Sequence, residues 1–160
     1  MTEVDPLALD LPVLASLAGS AADEFLLARL RADGHEHIRR SHGYVFQRLI
    51  AGAPTVTELG AALGVTQQAA SKAVIELEQL GYVERSADAA DSRIRRIALT
   101  DRGREVVQLG RRLRAELEQT LLATVDPADA AAARRVLVAL LAASGGLEAI
   151  AGRSVPLPSD

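Results

Sequence analysis

The chain has 160 residues, enough for one domain with a small added element, and 49% are hydrophobic against 24% charged, so a core can form. Aromatics make up 2%, with alanine and leucine in their place, which favours helices over a β-sandwich. The absence of cysteine excludes disulfides, thiol redox switches and cysteine-based zinc sites, whereas a formal charge of −3 leaves nucleic acid open, because binding follows the local field.

Residues 1–9 read as a loose arm containing Pro6, without caps. Up to Glu24 there are five acidic residues and no lysine or arginine, so the start lacks the basic region of a signal peptide. No uninterrupted apolar run approaches the ~18–20 residues that span a bilayer. A cytoplasmic protein with no membrane contact is expected. From Leu11, apolar residues recur at Leu14, Ala18, Ala21, Phe25 and Ala28, as on one face of a helix packed along another. Leu17, Leu26, Leu27 and Leu30 widen the stripe. This helix should be mostly enclosed, by the chain's own core or by a second subunit. Gly34 ends it, and residues 35–50 form the next helix, with Ile38, Val45, Leu49 and Ile50 inward and Arg39, Arg40 and Arg48 outward.

After the break at residues 52–54, Thr55 and Glu58 are spaced as a capping box that opens a short helix, VTELGAAL. Gly64 suits its left-handed end, and Thr66 can cap the following helix, whose sequence is QQAASKAVIELEQL. Two short helices around a glycine-containing turn form a helix-turn-helix pattern. In the second helix Ala70, Ala73, Val74, Leu77 and Leu80 define the buried side. Gln67, Gln68, Ser71 and Lys72 lie on the other side near its start, and with Thr66 they form a set suited to base edges and a phosphate. Gly81 stops the helix. Residues 82–85 and 95–99 then read as two strands, in which Val83, Ile97 and Leu99 alternate with charged or small residues. The polar connection SADAADSRI is too long for a tight turn and should project as a wing. Between Arg85 and Arg104 there are six arginines against three aspartates, and Arg95 and Arg96 are candidates for phosphate contact.

Thr100 can cap a long helix reaching about residue 125, with Leu109, Leu113, Leu117, Leu121 and Val125 stepping by four. Asp126 and Pro127 restart the chain into a last helix over residues 128–143, followed by a short apolar piece and a polar tail. The fold class is mainly α with a small β-wing: a winged helix-turn-helix with helices at both ends. The expected division is 1–34, an N-terminal arm and dimerisation helix; 35–104, the DNA-binding winged helix; and 105–160, the C-terminal dimerisation helices and tail.

The run from Asp91 to Gly103, DSRIRRIALTDRG, resembles the D-x-R and L-T-x-x-G signature of MarR-type winged-helix regulators. The preceding TELGAALGVTQQAASKAVIELEQLGYVER is similar to that family's helix-turn-helix and first wing strand. The resemblance covers residues 55–105, about a third of the chain, and implies a homodimer on a pseudo-palindromic operator in double-stranded DNA. It places Gln67, Gln68, Ser71 and Lys72 in the major groove and Arg93 in the minor groove, with Asp91 as the acidic partner that orients Arg93. Gly60 and Ala70 are smaller than the family's usual residues and should bring the two short helices together. Ile75 stands where a polar residue is common, so base contacts are expected to stop at Lys72. Glu76 and Glu78 offset Lys72, so phosphate attraction must come from the wing and from Arg39, Arg40 or Arg48.

His35, His37 and His42 lack the spacing and the carboxylate neighbours of a metal site, and no metal or cofactor is expected. His42, Tyr44 and Phe46 either pack or face the small-molecule effector pocket that the resemblance implies, where imidazole and phenol could bond an acidic or phenolic ligand. No P-loop, G-x-G-x-x-G, G-x-S-x-G or H-E-x-x-H is present, so an enzyme is not expected. The favoured reading is a ligand-responsive repressor. The rivals are a winged-helix regulator of another family, PadR-like, and an interaction module without DNA binding.

Overall fold

The computed structural model describes residues 5–147, so the expected polar tail lies outside it. The chain runs α1 (Leu11–Ala32), α2 (Arg40–Ala51), α3 (Val56–Leu63), α4 (Gln67–Gln79), β1 (Val83–Ala87), β2 (Arg95–Leu99), α5 (Asp101–Leu122) and α6 (Pro127–Ala143). It is mainly helical with one antiparallel β-hairpin, as expected. Of the expected loose arm, residues 1–4 lie outside the described residues, and Pro6–Ala8 is a 3-10 turn whose Asp5 carboxylate accepts from the Leu7 amide at 2.9 Å.

Local chemistry sets most boundaries. Thr55 and Glu58 exchange both capping-box bonds, the Thr55 amide donating to Glu58 at 2.7 Å and the Glu58 amide to Thr55 Oγ1 at 3.2 Å. Gly64 ends α3 at φ +67° and Gly81 ends the turn after α4 at φ +77°, a region costly for residues with a Cβ. Thr66 Oγ1 accepts from the Ala69 amide. Buried Gly60 lets α3 and α4 approach closely: a Cβ there would meet Val65 O at 3.2 Å and Ala70 Cβ at 3.5 Å.

The core gathers Leu27 and Leu30 of α1, Val45, Phe46 and Leu49 of α2, and Leu59, Leu63, Val74 and Leu77 of the helix pair. Val83, Ile97 and Leu99 close it from the hairpin, and Val106 and Leu113 from α5. In the hairpin Val83 pairs with Leu99 and Arg85 with Ile97, and the Ile97 amide also donates to Pro54 O at 2.9 Å, tying the sheet to the chain ahead of α3.

The L-T-x-x-G motif has a mechanical explanation. Thr100 donates its hydroxyl to Gly81 O at 2.6 Å, accepts from the Gly103 amide at 3.1 Å, and gives its own amide to Tyr82 O. A Cβ on Gly103 would sit 2.1 Å from Tyr82 O, so the first turn of α5 can rest on this carbonyl only with glycine there.

Four expectations are corrected. The second helix begins at Arg40 because residues 35–39 are held elsewhere: the His35 amide turns back to Leu30 O, and its ring meets the Tyr82 hydroxyl at 2.9 Å. Ile50 faces outward, 42% exposed. In α5 the buried positions are Gly103, Val106, Gly110 and Leu113, while Leu121 is 57% exposed. Nor does the chain's own core enclose α1: Leu27 and Leu30 are its buried residues, and Leu11 and Leu17 are more than half exposed. By length and composition α1 could cross a membrane, although Asp23 and Glu24 interrupt its apolar sequence and Asp23 pairs with Arg40 of α2 at 2.7 Å.

Candidate nucleic-acid interface

The outer face of α4 is polar except at Ile75, because its other large apolar residues are used inward, against α3. Gln67, Gln68 and Lys72 are exposed, Ser71 is half-buried, and Thr66 is exposed with its hydroxyl committed to the cap. The helix carries Glu76 and Glu78, yet both are paired: Glu76 with Arg39, just ahead of α2, and Glu78 with Arg85 of β1 at 3.2 Å. Lys72 therefore sits on a face whose nearby negative charges are already balanced.

The wing turn between the strands is built by two aspartates. Asp88 Oδ1 accepts from the Ala90 amide at 2.8 Å, and Asp91 Oδ1 accepts from the Arg93 amide at 3.0 Å. The Asp91 carboxylate thus holds the Arg93 backbone in place. Both residues are exposed.

Arg96 is differently placed. Its Nε donates to Asp88 Oδ2 at 2.7 Å and its Nη1 to Glu58 Oε2 at 3.1 Å. This joins the base of the wing to the first turn of α3. Arg96 holds the Asp88 carboxyl below its ordinary range, and Asp88 in turn raises Arg96. Glu58 is also lowered, first by the Thr55 amide and then by the Thr55 side chain and Arg96. Among the described residues, Lys72, Arg93 and Arg95 carry no ion pair, whereas Arg85, Arg96 and Arg104 do. Much of the arginine surplus anticipated around the wing is spent inside the protein, and Arg39 and Arg40 are likewise paired.

A cavity of about 600 Å³ opens between α1, α2 and α5. Tyr44 and Phe46 line it, as do Arg39, Arg40, Arg48, Arg111 and Arg114 against the single acid Asp23. His42 does not. It is 2% exposed, with Nδ1 accepting from the Arg39 amide at 3.2 Å and Nε2 lying 3.6 Å from Glu76. Burial first, and Arg39 second, lower its pKa to about 4. His35 is lowered too, by burial and then by Arg102, whose guanidinium donates to the same Tyr82 hydroxyl that His35 Nδ1 meets.

Sequence reasoning did not anticipate the Arg96 bridge or the Arg39–Glu76 bridge, since both join residues distant in the chain. It also set aside Ile75, although helical spacing from Gln68 and Lys72 places that residue on the same outer face.

This architecture defines a winged helix-turn-helix protein. The sequence model of the MarR family matches residues 40–94, from the start of α2 to the wing tip. No curated protein sequence matches the chain. Streptococcus pneumoniae FabT, solved in complex with DNA, is similar at a TM-score of 0.70 and 20% identity, covering 86% of this chain and 99% of that one. MepR, a transcription regulator of the Staphylococcus aureus multidrug efflux pump MepA, gives 0.67 at 20% identity, covering 84% and 98%. Bacillus subtilis YusO gives 0.67 at 19%, covering 89% and 99%. At these identities the likeness is one of fold.

Proposed function

We propose that the chain is a sequence-specific DNA-binding transcriptional regulator, a cytoplasmic homodimer that represses from a pseudo-palindromic operator. The observation that carries this reading is the pairing of surfaces: an α4 face of unengaged amides and one lysine, followed by a wing that projects two unpaired arginines. Gln67, Gln68, Ser71 and Lys72 would meet base edges and phosphate in the major groove, with the α4 start at Thr66 set against the backbone. Arg93, its backbone fixed by Asp91, would enter the minor groove, and Arg95 would hold a phosphate. The solved complexes of FabT and MepR with DNA support the same use of the fold. Arg96 contributes by bracing the wing.

Repression would be relieved by a small molecule in the cavity, as the structure of MepR bound to ethidium bromide encourages. With five arginines and one aspartate around an apolar floor, the cavity favours an anionic amphipathic effector, with the Tyr44 hydroxyl as a further partner. His42 would act at second hand, through Arg39.

The test is the salt dependence of duplex affinity, measured on DNA selected from a random pool. Lys72, Arg93 and Arg95 in two subunits should give a steep decline, about 0.9 log unit per phosphate contact per decade of salt. Arg93→Ala should weaken binding while leaving folding and subunit association unchanged. A weak affinity that is flat with salt would instead favour a protein-interaction module, a possibility made concrete by the many internally paired arginines.

A further inference from the structure

The outward face of α4 contains one side chain of unexpected chemistry. Ile75 is 45% exposed in the middle of an otherwise polar surface. At 3.6 residues per turn it lies about 20° around the helix from Gln68, about 40° from Gln79 and about 60° from Lys72. Leu77, which is fully buried, points about 160° away. The two glutamates flanking this face are drawn aside into pairs with Arg39 and Arg85, so Ile75 is neither covered by a neighbour nor crowded by free charge. A β-branched residue gains little on an exposed helix face, where glutamine or lysine would favour the helix more.

We propose that Ile75 is a specificity-determining residue that reads thymine methyl groups in the major groove. This rests on the DNA-binding reading above. Among the four bases only thymine presents a methyl group in that groove, and an aliphatic side chain is its natural partner, just as the neighbouring amides suit purine edges. The helical rise puts Ile75 about 10.5 Å beyond Gln68 and about 4.5 Å beyond Lys72. Its thymine thus lies a few base pairs along the groove from the one that Gln68 contacts. The readout therefore extends past Lys72 and adds an apolar contact to a set of hydrogen bonds.

The experiment uses the duplex selected by the wild-type protein from a random pool, with each thymine replaced in turn by uracil, which lacks only the methyl group. Wild-type affinity should fall roughly four-fold at one or two positions per half-site, the value of one buried methyl. Ile75→Ala should bind the thymine and uracil duplexes equally, and Ile75→Val should retain most of the difference. Because Ile75 is exposed, both variants should unfold at the wild-type temperature. Indifference of the wild type to every uracil would overturn the proposal, and so would an Ile75→Ala protein as sensitive as the wild type. If the wild type selects no duplex at all, the DNA-binding reading itself fails. The selection step thus separates the two failures.

Discussion

His42 shows how much structure one buried ring can organise. Its Nδ1 accepts from the Arg39 amide, so in the neutral form the proton sits on Nε2, facing Glu76. Protonating Nδ1 would remove that acceptor and place a cation in the core beside Arg39. The folded pKa of about 4 lies below the ordinary 6.5, so the unfolded chain takes up the proton first. Stability from this residue is complete above pH 6.5 and is lost as pH falls towards 4. With allowance for screening at the edge near Glu76, the loss is about 2 kcal/mol. Glu58 and Asp88 are lowered carboxylates, so their contributions persist until the pH falls below the ordinary carboxylate range. His42→Gln keeps an acceptor for the Arg39 amide but cannot titrate. Urea midpoints at pH 7 and pH 5 should differ clearly for the wild type and much less for the variant, with His35 supplying the remainder. Equal differences in the two proteins would remove His42 from the account.

At the scale of elements, the wing and α3 act as one unit through Arg96. The bridge to Asp88 and Glu58 is partly exposed, so its direct worth is small. Its consequence is positional: without it the wing keeps its strand pairing but loses its tie to the helix pair. Arg96→Gln should therefore lower DNA affinity and speed amide exchange in the wing turn while leaving the salt slope unchanged. Arg95→Gln should reduce the slope by ~0.9 per subunit, because it removes a phosphate contact. A reduced slope for Arg96→Gln would mean that the arginine leaves its bridge to touch DNA. This contrast also marks what was legible in the sequence. Caps at Thr55, Thr66 and Thr100 and the glycine stops could be read because each is settled within four residues. The polar face of α4 followed from periodicity alone. Arg96 looked like a phosphate ligand because its partners stand 8 and 38 residues away, beyond the reach of any local pattern. The same holds for the start of α2, delayed to Arg40 by a contact between His35 and the distant Tyr82.

The whole molecule has more apolar helix surface than one chain can cover. Leu17 of α1 is 54% exposed, Leu121 of α5 57%, and Val138 of α6 53%, and α6 has no buried residue among those described. Such surface is abnormal for an isolated chain and is the kind that a subunit interface removes from water. Periodicity indicated correctly that α1 carries a broad apolar face, but not what covers it, because the hydrophobic pattern is the same for a core helix and an interface helix. In the proposed homodimer the terminal helices of two chains cover one another, and the winged helices are carried apart on the outside. Two recognition helices held one DNA turn apart, about 34 Å, bind as a linked pair, so each subunit raises the effective concentration of the other. Leu17→Asp combined with Val138→Asp should therefore give a monomer in sedimentation equilibrium, with the winged helix still folded by circular dichroism. Its affinity for a two-half-site duplex should fall at least ten-fold, toward that for a single half-site, while half-site binding itself stays near the value for one wild-type subunit. A wild-type protein that is monomeric at concentrations saturating its operator would refute this arrangement. So would a double variant that remains dimeric, because the exposed faces of α1 and α6 would then have to serve another partner.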